Sequence, residues 1–265
     1  MIEGLQMFAS FKMELPNFSP DYLEKLYSIG KKQYDSQKKS IQQSLDAYLA
    51  PNGSLKAGEI EGDWFPTIKA DVFLSHSHKD EKTVIAFAGY LSELGITSFI
   101  DSCVWGYAND LLKQIDKKYC VQSTSSSGSI TYDYDKRNYS TAHVHMILNG
   151  ALLKMIDNTE CLIFLDTPNS LKTEDLSNGI TNSCWIYSEL LMSGCIEKKL
   201  PIRKSLQFRV DESFEHNALS VEYDVDIKHL IKLSLSDISN AVKQSKYPGP
   251  SILDCLYFNK KLSTK

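Results

Sequence analysis

The sequence lacks several features that would assign it to a specialised class of protein. It contains no apolar run long enough to span a bilayer. Its first residues lack the basic region and the long apolar stretch of a signal peptide. It also lacks an excess of positive charge, because 29 Lys and Arg stand against 33 Asp and Glu and give a net charge of −4. A general nucleic-acid binder needs a basic face to offset phosphate charge. We therefore expect a cytoplasmic protein with no membrane and no nucleic acid among its partners.

Cysteine pairs at short spacing are also absent. The chain has six cysteines, none of them in a CxxC pair, and several lie inside apolar runs. This pattern favours reduced, packed thiols over a disulfide framework or a zinc site. The rest of the composition is that of an ordinary globular protein, with 42% hydrophobic and 23% charged residues.

Strand and helix patterns alternate through the middle of the chain. Short apolar runs predict strands at 70–75, 96–100 and 161–165. Helical patterns predict helices at about 81–94, 109–118, 143–157 and 183–195. The alternation predicts an α/β fold with a parallel sheet covered by helices on both faces. In such sheets the ligand crevice lies beyond the carboxyl ends of the strands. The segments expected to gather there are 75–79, 101–109 and 166–170.

The flanking segments divide the chain into three expected parts. Residues 1–66 read as an N-terminal helical segment, which begins at Ser19–Pro20, followed by a linker. Residues 67–200 form the α/β domain, and residues 201–265 a C-terminal extension that completes or flanks it. In the extension, 206–210 and 252–258 are predicted as strands, and 226–235 as a strand or a helix.

Two polar stretches are expected to be insertions in the α/β domain. Residues 119–142 are rich in Ser, Tyr and Asp and predict a polar loop or a flap. Residues 169–182 lengthen the connection before the last helix of the domain. Either stretch could act as a lid or be a surface insertion without a role at the site.

Three short motifs carry candidate functional residues. The strand that begins at Asp71 ends in the small polar run Ser75–His76–Ser77. The next predicted strand ends at Asp101. In the sequence Trp-Ile-Tyr-Ser-Glu, Trp185 and Glu189 lie four residues apart on a helical pattern, so that both side chains should point the same way.

These motifs, in this order, make the chain resemble a TIR domain of the bacterial kind over roughly residues 70–196. The resemblance implies a flavodoxin-like parallel sheet. In NAD-cleaving members of that family the catalytic carboxylate is the glutamate of the WxxxE motif, which corresponds to Glu189 here. Ser75, His76, Ser77 and Asp101 would then line the pocket for nicotinamide or ribose, with Trp185 as a flat wall beside the glutamate.

The resemblance also implies how the protein works. It implies cleavage of the bond between nicotinamide and ribose in NAD⁺, with NAD⁺ as the substrate and no bound cofactor or metal. Such bacterial proteins serve in anti-phage defence, where they deplete NAD⁺ or make a nucleotide signal for a separate effector protein. The segment 101–110, with Trp105, corresponds to a loop that commonly reaches a neighbouring subunit, so a homo-oligomer is expected through this loop.

The chemistry is compatible with a single carboxylate. The leaving group is a pyridine that departs neutral from an already cationic nitrogen, so no acid has to protonate it. Ordinary glycosidases need a second carboxylic acid because their leaving oxygen requires a proton. One carboxylate can therefore suffice, provided that it stabilises the developing oxocarbenium ion.

Several alternatives remain open at the level of the sequence. Glu189 could lie on an exposed helix face, residues 75–77 could simply be a loop before the next helix with Asp80 as its cap, and Trp105 could anchor its loop to its own domain. The protein could also be a non-catalytic TIR adaptor that assembles with other proteins. A further alternative is a metal-dependent hydrolase, since His76–Ser–His78–Lys–Asp80 has HxHxD spacing and His143 and His145 add two imidazoles.

Overall fold

The computed structural model of the chain describes residues 8–37, 45–173, 178–199 and 223–262. The chain divides into two compact units. The first comprises 1–37, 68–101 and 155–265, and the second comprises 38–67 and 102–154.

The regular elements alternate along most of the described chain. The strands are β1 (Ala9–Glu14), β2 (Val72–Ser75), β3 (Ser98–Ile100), β4 (Val121–Thr124), β5 (Ile130–Tyr132), β6 (Cys161–Asp166), β7 (Lys172–Thr173), β8 (Asn178–Thr181), β9 (Tyr223–Asp226) and β10 (Ile231–Leu233). The α-helices are α1 (Pro20–Gln37), α2 (Ala57–Trp64), α3 (Glu81–Glu93), α4 (Ser102–Tyr119), α5 (Tyr134–Asp157), α6 (Cys184–Cys195), α7 (Leu235–Gln244) and α8 (Ser251–Asn259). Short 3₁₀ turns lie at Leu45–Tyr48 and His78–Asp80.

The first unit is built on a five-stranded sheet in which every strand pair is parallel. The strand order is β10-β1-β6-β2-β3. With helices flanking the sheet, this is the predicted α/β architecture of the flavodoxin-like kind. In the flavodoxin-like strand order 2-1-3-4-5, the fourth strand along the chain lies between the third and the fifth. Here the first strand of the chain occupies that position.

The composition of the central strands explains why they pair in parallel. All four residues of β2 and the first five of β6 are buried, and nearly all of these side chains are apolar. Continuous apolar strands of this kind need cover on both faces, which the crossover helices of a parallel sheet provide. The predicted strands at 70–75, 96–100 and 161–165 are confirmed to within two residues at either end.

Other sequence predictions need correction. Residues 1–66 were predicted to be a helical segment and a linker. They also contain β1, which lies between β10 and β6 in the sheet. The predicted strand at 252–258 is the helix α8. The segment 226–235, predicted as one strand or helix, contains the end of β9, all of β10 and the start of α7. The predicted strand at 206–210 lies outside the described residues.

The segments after β3 and after the fourth helix also differ from expectation. Residues 101–110 are not a loop, because α4 begins at Ser102 directly after β3. Residues 119–142 are not one polar loop, because they form the antiparallel hairpin β4–β5 and the first turns of α5. Residues 169–182 contribute β7 and β8, which join β9 in a small antiparallel sheet of the first unit.

Helices α1 and α3 approach each other closely at two glycines. A Cβ atom on Gly30 would lie 1.8 Å from the carbonyl oxygen of Ile85, and one on Gly89 would lie 2.0 Å from that of Leu26. Both distances are far inside van der Waals contact, so the two backbones pack directly on each other here. Glycine at both positions is what allows α1 and α3 to lie side by side on one face of the sheet.

The second unit consists of α2, α4, α5, the hairpin β4–β5 and the 3₁₀ turn at Leu45–Tyr48. A buried polar group joins α4 to α5. Asp116 accepts hydrogen bonds from Arg137 Nε (2.9 Å) and Ser140 Oγ (3.1 Å). Across the described segments of the chain, none of the helices combines the length and the apolarity that crossing a membrane requires.

Candidate active site

Two buried polar side chains meet at the carboxyl end of β2. Ser75, the last residue of β2, donates from its hydroxyl to Glu189 Oε2 over 2.6 Å. Both residues are 0% exposed. The structure thereby excludes the alternative that Glu189 lies on an exposed helix face.

The position of Glu189 follows from the periodicity of α6. The buried residues of this helix are Ile186, Glu189, Leu190 and Ser193, which fall on one stripe at helical spacing. The helix begins at Ser183, whose hydroxyl accepts a hydrogen bond from the backbone N–H of Ile186. Ser10 Oγ of β1 lies 3.4 Å from the carbonyl oxygen of Ser193, which places the stripe against the sheet. Glu189 therefore enters the core as part of the packed face of its helix.

A second buried pair links the ends of β2 and β3. His76 Nδ1 lies 2.6 Å from Asp101 Oδ1, and the two side chains are only 1% and 4% exposed. Burial lowers the pKa of His76, but the charge of Asp101 and the hydrogen bonds to Asp101 and Leu74 outweigh it, so the net pKa is raised. The pair therefore favours an imidazolium next to a carboxylate.

The two pairs interact through their acids. Burial raises the pKa of Glu189 well above its usual value, and the neighbouring Asp101 carboxyl raises it further, while the hydrogen bond from Ser75 offsets a part. Two carboxyl groups that interact in a dry site do not both ionise readily, so one of them keeps a proton. The raised pKa of Glu189 favours the proton on that residue. We call Ser75, His76, Asp101 and Glu189 the acid cluster.

Two buried atoms of the acid cluster face no hydrogen-bond partner. Glu189 Oε1 and His76 Nε2 make no hydrogen bond of good geometry to any residue that the structure describes. Buried polar atoms without partners are uncommon and are concentrated at functional sites. Neither atom is exposed, so a bound molecule would reach the acid oxygen and the imidazole nitrogen only after the surrounding packing opens.

The remaining predicted site residues are Ser77, Trp185 and Trp105. Ser77 is half-buried, and its hydroxyl caps the 3₁₀ turn at His78–Asp80 by accepting from the Lys79 N–H. Trp185 is half-buried in the first turn of α6, one turn before Glu189. The side chain of Trp105 lies outside the described residues.

His76 and Asp80 of the HxHxD segment have different surroundings. His76 pairs with Asp101, while Asp80 accepts from Thr167 Oγ1 (2.6 Å) and from Asn169 Nδ2 (2.9 Å). Asp80 does not cap α3 through its side chain, which corrects that expectation. Its two contacts instead tie the segment after β2 to the segment after β6, so these segments gather at one edge as predicted.

The remaining histidines of the metal alternative are on the surface of the second unit. His143 and His145 are both exposed on α5. Among the residues described by the structure, no group of three or more His, Cys, Asp or Glu side chains could hold a metal ion.

A cavity opens at the same carboxyl edge of the sheet, beyond β6, β1 and β10. Its volume is 650 Å³, which is in the size range of ligand pockets. Its lining includes Lys12, Glu14, Asp166, Lys232 and Ser234. Lys12 and Asp166 form an ion pair at 3.0 Å.

The topology places a switch point on each side of β6 at this edge. From β6 the chain continues to β10, which lies in one direction along the strand order. From β1 it continues to β2, and from β2 to β3, both of which lie in the opposite direction. Crevices form where neighbouring strands send their connections in opposite directions. Because β1 is inserted beside β6, such points exist at both the β2–β6 and the β6–β1 boundaries. Lys12, Glu14 and Lys232 were not among the predicted site residues, because β1 was not predicted and 226–235 was predicted as a strand or a helix without a place in the sheet.

Comparisons of the chain with protein-family models, with curated proteins and with solved structures find no match. The fold and the site define the protein as a flavodoxin-like α/β protein with a buried acid cluster at the carboxyl edge of its sheet.

Proposed function

We propose that this chain cleaves the bond between nicotinamide and ribose in NAD⁺, with Glu189 as the catalytic carboxylate. The observation that carries the proposal is the acid cluster itself. A buried carboxyl group with a raised pKa, one unpartnered oxygen and an imidazole–carboxylate pair beside it, at the carboxyl edge of a parallel sheet, has the properties of a catalytic group.

The proposed reaction needs no external reagent except water. The C–N bond breaks with its electron pair going to the pyridine nitrogen, which leaves neutral nicotinamide and an oxocarbenium ion. Water then adds to the cationic carbon and releases a proton, giving ADP-ribose. A ring nitrogen of the adenine in place of water would give a cyclic product, which would suit a nucleotide signal. In the family that the chain resembles, either a signal or NAD⁺ depletion would serve anti-phage defence.

The electrostatics of the cluster suit a cationic substrate. Before binding, the raised pKa values of Glu189 and His76 favour a neutral carboxyl group on Glu189 and an imidazolium on His76. A cationic nicotinamide ring near Glu189 would favour loss of its proton, because an opposite charge lowers the pKa of a carboxyl group. The resulting carboxylate would then stabilise the oxocarbenium ion in a site with little water. Access requires the packing around Glu189 to open, since the residue is 0% exposed.

The edge cavity offers room for the remainder of the dinucleotide. It lies on the same edge of the same sheet and contains the side chains of Lys12 and Lys232. A lysine that only holds the diphosphate contributes equally to ground-state and transition-state binding, so its loss raises KM and leaves kcat unchanged. We expect this pattern for Lys232→Ala, with KM raised about tenfold. Lys228→Ala, an exposed lysine outside the cavity lining, is the matched control.

Product analysis tests the reaction directly. The full chain is incubated with NAD⁺ over a range of protein concentrations, and the products are identified by mass. Wild-type protein should release nicotinamide with ADP-ribose or a cyclic isomer, and Glu189→Gln should lower the rate by roughly 10²–10³-fold. Glu197→Gln, an exposed glutamate just beyond α6, should behave as wild type. Failure of the wild type to release nicotinamide at any concentration, or full activity of Glu189→Gln, would contradict the proposal.

A further inference from the structure

The second unit contains a cavity of its own. Its volume is 610 Å³, within the range of small-molecule sites. Every lining residue belongs to the second unit: Gly53, Ser54, Leu55, Ala57, Ile60, Ile115, Tyr119, Cys120, Asp135, Lys136, Tyr139, Ser140, His143, Val144 and Ile147. No residue of the acid cluster is among them, so the proposed NAD⁺ site leaves this cavity without a role.

The floor of the cavity is apolar and rigid. Ile60, Ile115 and Val144 are buried side chains from α2, α4 and α5. Their burial among three helices fixes them in place, so the floor exists before any ligand arrives. A preformed apolar floor gains affinity because little conformational entropy is lost on binding.

The mouth of the cavity is aromatic. Tyr119 is 38% exposed and Tyr139 is 70% exposed, although both line the cavity. The rings of Tyr139 and His143 lie 4.4 Å apart at an angle of 65°. Tyrosine offers a large, stiff contact area to a ring stacked on it, and exposed aromatic side chains around a pocket mark a binding surface.

The polar groups of the cavity favour an uncharged, non-covalent ligand. Asp135 and Lys136 carry opposite charges, so together they add no net charge to the lining. Ser140 is engaged with Asp116 (3.1 Å), and Cys120 Sγ lies 3.7 Å from Ser140 Oγ. Burial raises the pKa of the Cys120 thiol, which keeps it protonated and a poor nucleophile.

We propose that this cavity is a second binding site, which takes a flat, uncharged aromatic molecule between its apolar floor and the rings at its mouth. The volume sets the ligand to small-molecule size, and the lining selects against a charged one because a charge in an apolar pocket loses its hydration without a compensating partner. The proposal is independent of the reaction proposed at Glu189.

Nile red, an uncharged flat dye whose emission rises in apolar surroundings, is a direct probe. Titration of the full chain with Nile red should show saturable binding at one site per chain. Tyr139→Ala removes a ring from the mouth and should weaken binding about two- to tenfold, the range expected for one aromatic contact. Tyr134→Ala is the matched control, because Tyr134 lies on the same helix, is 77% exposed and does not line the cavity.

A second variant fills the cavity from its exposed side. Ala57→Trp places an indole into the mouth from an exposed position of α2, and should abolish Nile red binding while melting stays near that of the wild type. Glu59→Trp adds the same ring at an exposed position outside the lining and should leave binding intact. Sedimentation of each variant reports its association state.

Three results would overturn the proposal. The first is the absence of saturable Nile red binding to the wild type. The second is equal binding by Ala57→Trp and Glu59→Trp, which would place the dye on the surface. The third is self-association of the wild type that Ala57→Trp abolishes, because the natural occupant would then be a second copy of the chain.

Discussion

Ser75 Oγ and Glu189 Oε2 lie 2.6 Å apart although 114 positions separate the two residues in the chain. The bond joins the end of β2 to the middle of α6, and both partners are fully buried. It fixes one oxygen of the carboxyl group and leaves the other free to face a bound molecule. The interaction is thus at once a part of the core and the basis of the proposed chemistry.

The first prediction concerns stability and pH. Below the ordinary carboxyl value of 4.5, Glu189 is protonated in both the folded and the unfolded chain. As the pH rises above 4.5, the unfolded carboxyl ionises while the folded one keeps its proton, so its contribution to stability falls until the raised folded pKa is passed. Glu189→Gln lacks this loss. The free energy of unfolding of Glu189→Gln should therefore increase relative to that of the wild type as the pH rises, by up to about 1.4 kcal/mol per pH unit.

Urea unfolding of both proteins across the pH range measures this gain. Glu197→Gln is the control, because its exposed side chain should leave the pH dependence of the wild type unchanged. A constant difference between Glu189→Gln and the wild type at all pH values would show that the pKa of Glu189 is not raised.

The second prediction concerns the hydroxyl of Ser75. Ser75→Ala leaves Glu189 Oε2 buried without its donor, and such a loss costs about 1–3 kcal/mol of unfolding free energy. The pKa of Glu189 should rise further, because the Ser75 hydrogen bond lowers it. Ser77→Ala is the matched control, since that hydroxyl only caps a short turn at the surface. Chemical denaturation of the two variants should rank Ser75→Ala as the less stable, and the reverse order would argue against the bond.

The third prediction concerns the contact between α1 and α3. Gly30→Ala and Gly89→Ala each place a methyl carbon against a backbone carbonyl oxygen, at 1.8 Å and 2.0 Å respectively. The backbones must move apart, which should cost at least about 1–3 kcal/mol. Gly62→Ala on α2 meets nothing within 4 Å and should instead stabilise by about 0.5–1 kcal/mol. Thermal melting of the three variants checks these opposite signs, and tolerance of alanine at Gly30 would contradict the close approach.

The fourth prediction concerns metals. Because the nicotinamide leaving group requires no Lewis acid, NAD⁺ turnover should survive exhaustive chelation. Turnover is measured before and after chelation, with metal content determined in parallel. Loss of activity that zinc or manganese alone restores would revive the role of the HxHxD segment as a metal site.

The fifth prediction concerns assembly. Active protein should be oligomeric, or become so on activation, with residues 101–110 at the contact, although they begin a helix and do not form a loop. Trp105→Ala should then lower both association and activity and leave melting nearly unchanged. If Trp105 were instead packed in a core, its truncation would cost about 3–5 kcal/mol. Sedimentation, kinetics and melting of the variant separate the two cases, and a fully active wild-type monomer at all concentrations would exclude the composite site.

The sequence alone determined the elements whose signal is local. The continuous apolar runs of β2 and β6 predict buried parallel strands, because a strand covered on both faces needs apolar side chains in succession. The apolar spacing of α6 predicted a helix close to the observed Cys184–Cys195. The polar residues at the ends of β2 and β3 also suggested a site there, and Ser75, His76, Asp101 and Glu189 do lie together.

Tertiary structure alone decided the rest, because the decisive contacts are long-range. The position of β1 between β6 and β10 depends on pairing with strands about 150 and 220 residues away, which no local pattern encodes. The cavity beyond β1 could not be predicted from the sequence for the same reason. The sequence placed Glu189 on a helix, but only packing against β1 and β2 set its burial, its bond to Ser75 and its interaction with Asp101. Burial and Asp101 raise the pKa of Glu189 and the bond to Ser75 partly offsets them, and no motif spacing could supply these contacts.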